Sequence, residues 1–150
     1  LQPVVHSLLQ VREELERTLP ALTAAQLHAR PGGAASVAYH VRHLLGSLDR
    51  LVTYAEGASL SAAQLQALAA EQAEGDADAD TLLAQLRDGI DRALERVRAT
   101  PVERLAEARR VGRAGLPSTV MGLLFHAAEH STRHAGQAVT MAKVVRGLGA

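Results

Sequence analysis

The sequence contains no cysteine and almost no aromatic residues. Its 150 residues include two tyrosines, one phenylalanine and no tryptophan. Without cysteine the chain has no disulfide framework, no thiolate metal ligand and no cysteine nucleophile, which fits a reducing cytoplasmic location. Three aromatic side chains do not form the spaced stacking platform of proteins that bind single-stranded nucleic acids.

The sequence also lacks an excess of charge and a long apolar run. Sixteen lysines and arginines balance sixteen aspartates and glutamates, so no net field attracts a nucleic acid or an anionic membrane. No run of about 18 apolar residues occurs, and the segment from Leu1 lacks the basic and then apolar pattern of a leader. We therefore expect neither nucleic acid nor membrane as a partner.

The composition favours one helical domain. With 47% hydrophobic residues, 21% charged residues and five prolines, the chain has the balance of a globular protein. Alanine, leucine, arginine and glutamate dominate, and all four favour helix. The length matches a single core, so residues 1–150 are expected to form one domain.

Apolar residues recur at three- and four-residue intervals in four long segments. Ser36 is a suitable N-cap for the second of them, and Gly57 a suitable stop. This pattern predicts an all-α fold, a four-helix bundle with a long crossover connection. The predicted helices run to about Pro20, from Ser36 to about Glu56, over 81–99 up to Pro101, and from Pro117-Ser118 to about Gly147.

The connections have weaker patterns. Residues 59–73 form an alanine-rich helical piece, and Glu74 to Asp80 form an acidic connector in which Asp80 could cap the next helix. The alternating aspartates of this connector lack the glycine and the terminal glutamate that follow them in the EF-hand pattern, so we expect a solvated loop rather than a calcium site. Residues 102–116 are polar and form an excursion. No strand pattern or internal repeat is evident.

Two histidines of the last helix fall among apolar positions. On a helical wheel, His130, His134 and Gln137 lie within a stripe of core residues. Burying an imidazole without a partner costs on the order of 1–3 kcal/mol, so these histidines need hydrogen bonds, water or a metal. Residues at i and i+4 can reach one ion, and imidazole suits zinc, nickel, copper or iron. The stripe consists of Val120, Leu123, Ala127, Met141, Val145 and Leu148.

A third metal ligand would have to come from another helix, and the second helix offers His40 and His43. The apolar periodicity of that helix slightly favours His40, while His43 lies toward the edge of the stripe. The spacing alone leaves both open. It also leaves open two buried histidines that bond to neighbouring carbonyls or carboxylates instead of a metal.

Two sequence motifs resemble the DinB/YfiT superfamily of metal-binding four-helix proteins. Ser36-Val37-Ala38-Tyr39-His40-Val41-Arg42-His43-Leu44-Leu45-Gly46 is similar to its second-helix motif, in which a ligand histidine follows a serine or threonine cap by seven positions. His130-Ser131-Thr132-Arg133-His134-Ala135-Gly136-Gln137 is similar to its H-x-x-x-H-R-G-Q ending. Arg30-Pro31 also resembles the approach to the second helix. One departure is Ala135, where arginine is frequent.

The resemblance implies a divalent metal, zinc or nickel, on His43, His130 and His134. It further implies a homodimer and a metal-dependent enzyme of the thiol S-transferase (bacillithiol-type) or hydrolase kind, acting on a small molecule with a low-molecular-weight thiol as a further cofactor. Three imidazoles leave a coordination position open, as catalytic sites do. The alternative is a non-catalytic, metal-stabilised helical protein with a role in stress response or partner binding.

Other residues near these motifs are weaker candidates. Glu129, Gln137 and His126 are candidate catalytic groups, although a surface role suits Glu129 and a core role suits His126. Tyr39 and Arg42 could line a pocket or lie on the helix surface. The string from His126 to His130 matches the H-x-x-E-H pattern of inverzincin peptidases, but that arrangement needs a further ligand well downstream, so we expect the match to be incidental.

Overall fold

The computed structural model describes residues 1–71, 73, 75–112 and 114–149, and within these ranges the protein is mostly helical. Four residues of predicted segments lie outside the described residues: Gln72 of the helical piece, Glu74 of the acidic connector, Arg113 of the polar excursion, and Ala150 of the predicted domain. The described elements are α1 (Gln2–Thr18), α2 (Ala24–His28), α3 (Val37–Glu56), α4 (Ala62–Ala70), α5 (Ala79–Arg98), β1 (Ala108–Val111), β2 (Leu116–Thr119) and α6 (Val120–Gly147).

The four long helices α1, α3, α5 and α6 surround the core. Both α1 and α3 pack against α5 and α6, rather than chiefly against each other. The connection from α1 to α3 therefore crosses one end of the helices, as expected for a crossover. Each long helix buries leucine completely, for example Leu8, Leu44, Leu86 and Leu124. Each such side chain contributes about 1.5–3 kcal/mol by leaving water.

The buried face of α6 is made largely of small residues. Its buried positions recur at alternating intervals of three and four, which follows a 3.5-residue repeat rather than the 3.6-residue helical wheel. Small side chains allow helix axes to approach closely, and α6 makes its most extensive contact with α3. His130 and His134 lie at the edge of this face and are half-buried. The small residues are Ala127, Ala128, Ser131, Ala135, Ala138 and Ala142.

The predicted second helix is confirmed as α3. The Tyr39 amide donates to Ser36 Oγ at 3.1 Å, and Gly57 ends the helix in the left-handed region at φ 86°. The helical piece predicted in 59–73 is also present, as α4. The expected cap at Asp80 is wrong: the Thr81 amide donates to Asp78 Oδ1 at 2.8 Å, so Asp78 is the cap and α5 begins at Ala79, two residues earlier than predicted.

The region before α6 differs from its prediction. Instead of opening the last helix, Pro117 and Ser118 belong to β2, which pairs antiparallel with β1 so that Arg109 faces Ser118. Each strand has four residues and neither has a continuous apolar face, so no strand pattern showed in the sequence. The helix α6 starts at Val120 because the Gly122 amide donates to Thr119 Oγ1 at 3.0 Å.

No helix in the described part of the chain is both long enough and apolar enough to span a membrane.

The cap at Ser36 gives a stability prediction. Ser36→Ala removes the oxygen that accepts the Tyr39 amide, and we expect the free energy of unfolding to fall by about 1 kcal/mol, measured by urea denaturation. Ser61→Ala is the matched control, since Ser61 caps α4, which buries no side chain. That variant should unfold at nearly the wild-type midpoint. Equal losses in both variants would contradict the prediction.

Candidate metal centre

Three histidines from two helices converge at the edge of the core. One ring nitrogen each from His43 of α3 and from His130 and His134 of α6 lies within 4.8 Å of the other two. The Nε2 atoms of His43 and His130 are 3.1 Å apart. A tetrahedral ion at about 2.0–2.1 Å from imidazole nitrogens would separate two of them by roughly 3.3 Å. These residues, called the histidine cluster below, could therefore hold a metal ion.

His40, the alternative third ligand, lies beside the histidine cluster but outside it. It is more buried than His43, with 8% of the residue exposed, as its apolar periodicity indicated. Its Nδ1 atom is 3.0 Å from Nδ1 of His134, so one of the two rings donates to the other. For Nε2 of His134 to bind an ion, the proton of its neutral ring must lie on Nδ1, so His134 must be the donor in this contact. The apolar periodicity of the sequence therefore favoured a buried neighbour of the histidine cluster, whereas the family motif favoured His43, a member of the cluster.

A carboxylate that the sequence did not point to completes the site. Glu71, just after α4, is buried and places Oε2 2.8 Å from Nδ1 of His43, while Oε1 pairs with the guanidinium of Arg50. Arg50 also donates to Ser47 Oγ at 3.2 Å. We call His43, Ser47, Arg50 and Glu71 the carboxylate network. A sequence signal did exist, since His43, Ser47 and Arg50 form a polar line at i, i+4 and i+7 along a buried helix.

The carboxylate network gives His43 the tautomer that a metal requires. A carboxylate accepts hydrogen bonds, so the proton of the neutral ring lies on Nδ1 and the lone pair on Nε2, which faces His130. Metal-binding histidines almost always donate their other ring N–H to a carboxylate, a carbonyl or water. The donor set and its outer partner therefore both fit a divalent ion.

The electrostatic environment keeps His130 and His134 in the neutral form. Burial, followed by repulsion from His43 and His130, lowers the pKa of His134 to about 4. Burial and then His43 also lower the pKa of His130, and the same two causes lower the pKa of His40. Only neutral imidazole ligates a metal, so near neutral pH these rings are already in the ligating form.

The three catalytic candidates lie on the surface. Glu129 is exposed and accepts hydrogen bonds from Arg133, which lowers its pKa. His126 was expected in the core, but half of its side chain is exposed. Its ring lies 5.6 Å from that of His130, yet it does not join the cluster found among the described residues, so the inverzincin pairing has no support.

Gln137 does not lie in the apolar stripe, and neither does Leu148, which is exposed. The 3.5-residue repeat of small residues turns the buried face away from both. Gln137 instead lines a groove of about 640 Å³ together with His40 and Arg133.

Tyr39 and Arg42, the two residues of α3 that could line a pocket, both lie near the histidine cluster and the segment after α4. The ring of Tyr39 stacks parallel to His43, with 5.5 Å between the ring centroids. Arg42 donates to the carbonyl of Ala73 at 2.9 Å, so it connects α3 to the segment after α4. Both residues line a cavity of about 180 Å³. Tyr39 covers one face of a candidate ligand, and Arg42 holds the segment that follows Glu71.

Comparisons with known proteins show the family and the fold of this chain. Residues 7–138 match the model of the DinB superfamily. A conserved protein from Enterococcus faecalis has a similar crystal structure, with a TM-score of 0.68 and 19% identity over 97% of this chain and 96% of its own. A DinB-like protein from Bacillus cereus has a TM-score of 0.72 and 15% identity over 95% and 91% of the two chains. Among curated proteins, no sequence matches this chain.

The two crystal structures show that the fold is shared from end to end, and the sequence match spans most of the chain. The protein therefore belongs to the DinB superfamily.

Proposed function

We propose that this protein binds one divalent ion, zinc or nickel, on His43, His130 and His134. With this ion it acts as an enzyme on a small molecule, either as a thiol S-transferase of the bacillithiol type or as a hydrolase. The observation that carries the proposal is the histidine cluster itself. In the described part of the chain, no fourth histidine, cysteine, aspartate or glutamate joins it. Three protein ligands leave a position for water or substrate, as catalytic sites do.

The chemistry divides between the ion and the surrounding side chains. A bound ion would supply Lewis acidity toward a water molecule or a thiol. Tyr39 covers one face of His43 and limits the access of water to that ring. Of the three surface candidates, His126 is best placed to hold a proton near the cluster, because its ring is next to that of His130. The carboxylate of Glu129 is already neutralised by Arg133.

A non-catalytic, metal-stabilised role is the second candidate, and one observation favours it. Two sizeable cavities, of about 380 and 640 Å³, are lined by neighbours of the ligands, Glu71 and His40, rather than by the three ligands themselves. An ion at the cluster would then chiefly join α3 to α6. Assays of the zinc and nickel forms with thiols and electrophiles separate the two roles, because only an enzyme turns substrate over.

The ligand assignment predicts the metal content of five variants. His43→Ala, His130→Ala and His134→Ala should each lose stoichiometric metal, because two remaining imidazoles hold an ion weakly. His126→Ala and His40→Ala should retain it, since neither residue belongs to the histidine cluster. Elemental analysis of the purified variants provides the measurement. Full metal in the His134 variant together with none in the His126 variant would indicate the inverzincin pairing instead.

Acidification should release the metal. The pKa of His134 is lowered to about 4 and that of His130 lies below its ordinary 6.5. Between pH 6.5 and about 4 the unfolded chain therefore binds more protons than the folded chain. The contribution of the neutral rings to the free energy of unfolding is complete above pH 6.5 and is lost as the pH falls toward about 4. Metal occupancy should persist below pH 6.5, because His130 and His134 stay neutral there, and then fall with a slope that approaches about three protons per ion only as the pH nears about 4.

A single titration followed by circular dichroism and a chromogenic chelator measures helicity and free metal together. Helicity should outlast metal binding, because the leucine core does not depend on the ion. Metal that stays bound well below a pH of about 4, or a slope that stays at about one proton even near that pH, would rule out the three-histidine site.

The family relationship and the surface of α6 predict a homodimer. Met121, Phe125 and Val144 are exposed apolar residues of this helix and Leu148, just after it, is exposed too; a second copy could cover these side chains. Light scattering should give the mass of two chains. The mass of one chain across a wide concentration range would contradict the prediction.

A further inference from the structure

We propose that Glu71 is a positioning residue of the metal centre, which fixes the proton of His43 on Nδ1 and so strengthens the binding of a divalent ion at Nε2. The inference rests on the proposed metal site and adds Glu71, which directly follows α4, a helix that contributes none of the three ligands. Glu71 does not touch the ion. It acts through the ring of His43, on the side opposite the histidine cluster.

Both oxygens of Glu71 are engaged, so the carboxylate is held in place. Oε2 accepts from Nδ1 of His43 at 2.8 Å, and Oε1 pairs with Arg50. Only 8% of the Glu71 side chain and 11% of the Arg50 side chain are exposed. A buried charge is costly unless it is paired and hydrogen-bonded, and the carboxylate network satisfies both conditions. The negative charge therefore stays at the back of the His43 ring.

The attachment of α4 indicates what this helix is for. It buries no side chain of its own and exposes Leu65 and Leu68, so apolar packing does not hold it. Polar contacts with α3 hold it at both ends. At its start, Gln64 donates to Asp49 at 2.6 Å and to Thr53 at 2.9 Å. At its end, Glu71 reaches His43. These polar contacts fix α4 against α3 and so place the Glu71 carboxylate beside His43.

Gly46 lies against the ion pair of Glu71 and Arg50 and supports the importance of this contact. A Cβ atom at this position would overlap Oε1 of Glu71 and lie 2.8 Å from Nη1 of Arg50. Glycine inside a helix is unfavourable relative to alanine, so its presence in the middle of α3 needs a local reason. The close approach of the Glu71–Arg50 pair is that reason. Gly46→Ala therefore disturbs the pair without removing any polar group.

The test compares zinc affinity across wild type and three variants of the full chain. Competition with a chromogenic chelator near neutral pH gives the dissociation constant, and circular dichroism of the metal-free proteins gives helicity and melting temperature. Glu71→Gln should weaken zinc binding by about 10–100-fold, the usual effect of losing an outer partner of a metal-bound histidine. Gly46→Ala should weaken it in the same direction. Gly147→Ala is the control, since this glycine is the last residue of α6, lies well beyond His134 along the helix, and a Cβ there meets nothing within 4 Å.

A second readout separates positioning from a merely structural role. Nitrogen-15 NMR of the imidazoles in the metal-free protein reports the tautomer of His43. Wild type should show the proton on Nδ1, and Glu71→Gln should shift the ring toward the Nε2-protonated form. A structural role alone would lower the melting temperature of the variant without changing the tautomer.

The outcomes distinguish this inference from the proposed function. If wild type binds no zinc, the metal site itself is wrong. If wild type binds zinc and both Glu71→Gln and Gly46→Ala bind it equally tightly, Glu71 is not a positioning residue. Should Glu71→Gln fail to fold, the comparison of Gly46→Ala with Gly147→Ala still decides, because both variants keep every polar group.

Discussion

The close contact between α3 and α6 is the constraint on which the candidate site depends. Small residues such as Ala127, Ser131 and Ala135 form the buried face of α6 and let the two helices approach. His130 and His134 lie at the edge of that face, one turn apart, and the approach brings His43 within reach of both. Larger residues on this face would separate the helices and with them the three ring nitrogens. The core packing and the metal centre therefore depend on the same contact.

The electrostatics of the site follow from its position at the edge of the core. Half-burial and the neighbouring His43 keep His130 and His134 neutral, and neutral imidazoles can bind a cation. The charge of Arg50 beside this site would oppose a divalent ion if it were alone. Glu71 pairs with it and at the same time accepts from His43, so the neighbourhood stays neutral and one ligand is oriented. Orientation and charge balance thus come from a single carboxylate.

Much of the fold could be predicted because its determinants are local. Ser36 and Gly57 bound α3 through a cap and a left-handed glycine, and the four-residue spacing of His130 and His134 follows from helix geometry. The hairpin could not be predicted, since Arg109 and Ser118 acquire their strand conformation from each other. Glu71 was missed for a similar reason, because a glutamate after an alanine-rich helix has no local mark of burial. Its partners His43 and Arg50 lie on another helix.

The central claim is that three histidines from two helices hold one metal ion. Crystals of the zinc-loaded protein, measured on either side of the zinc absorption edge, test it directly. The account predicts a single anomalous peak at about 2.0–2.1 Å from one ring nitrogen each of His43, His130 and His134. It also predicts that Nδ1 of His43 remains bonded to Glu71. A peak coordinated by His126 and His130, or no peak between α3 and α6, would contradict it.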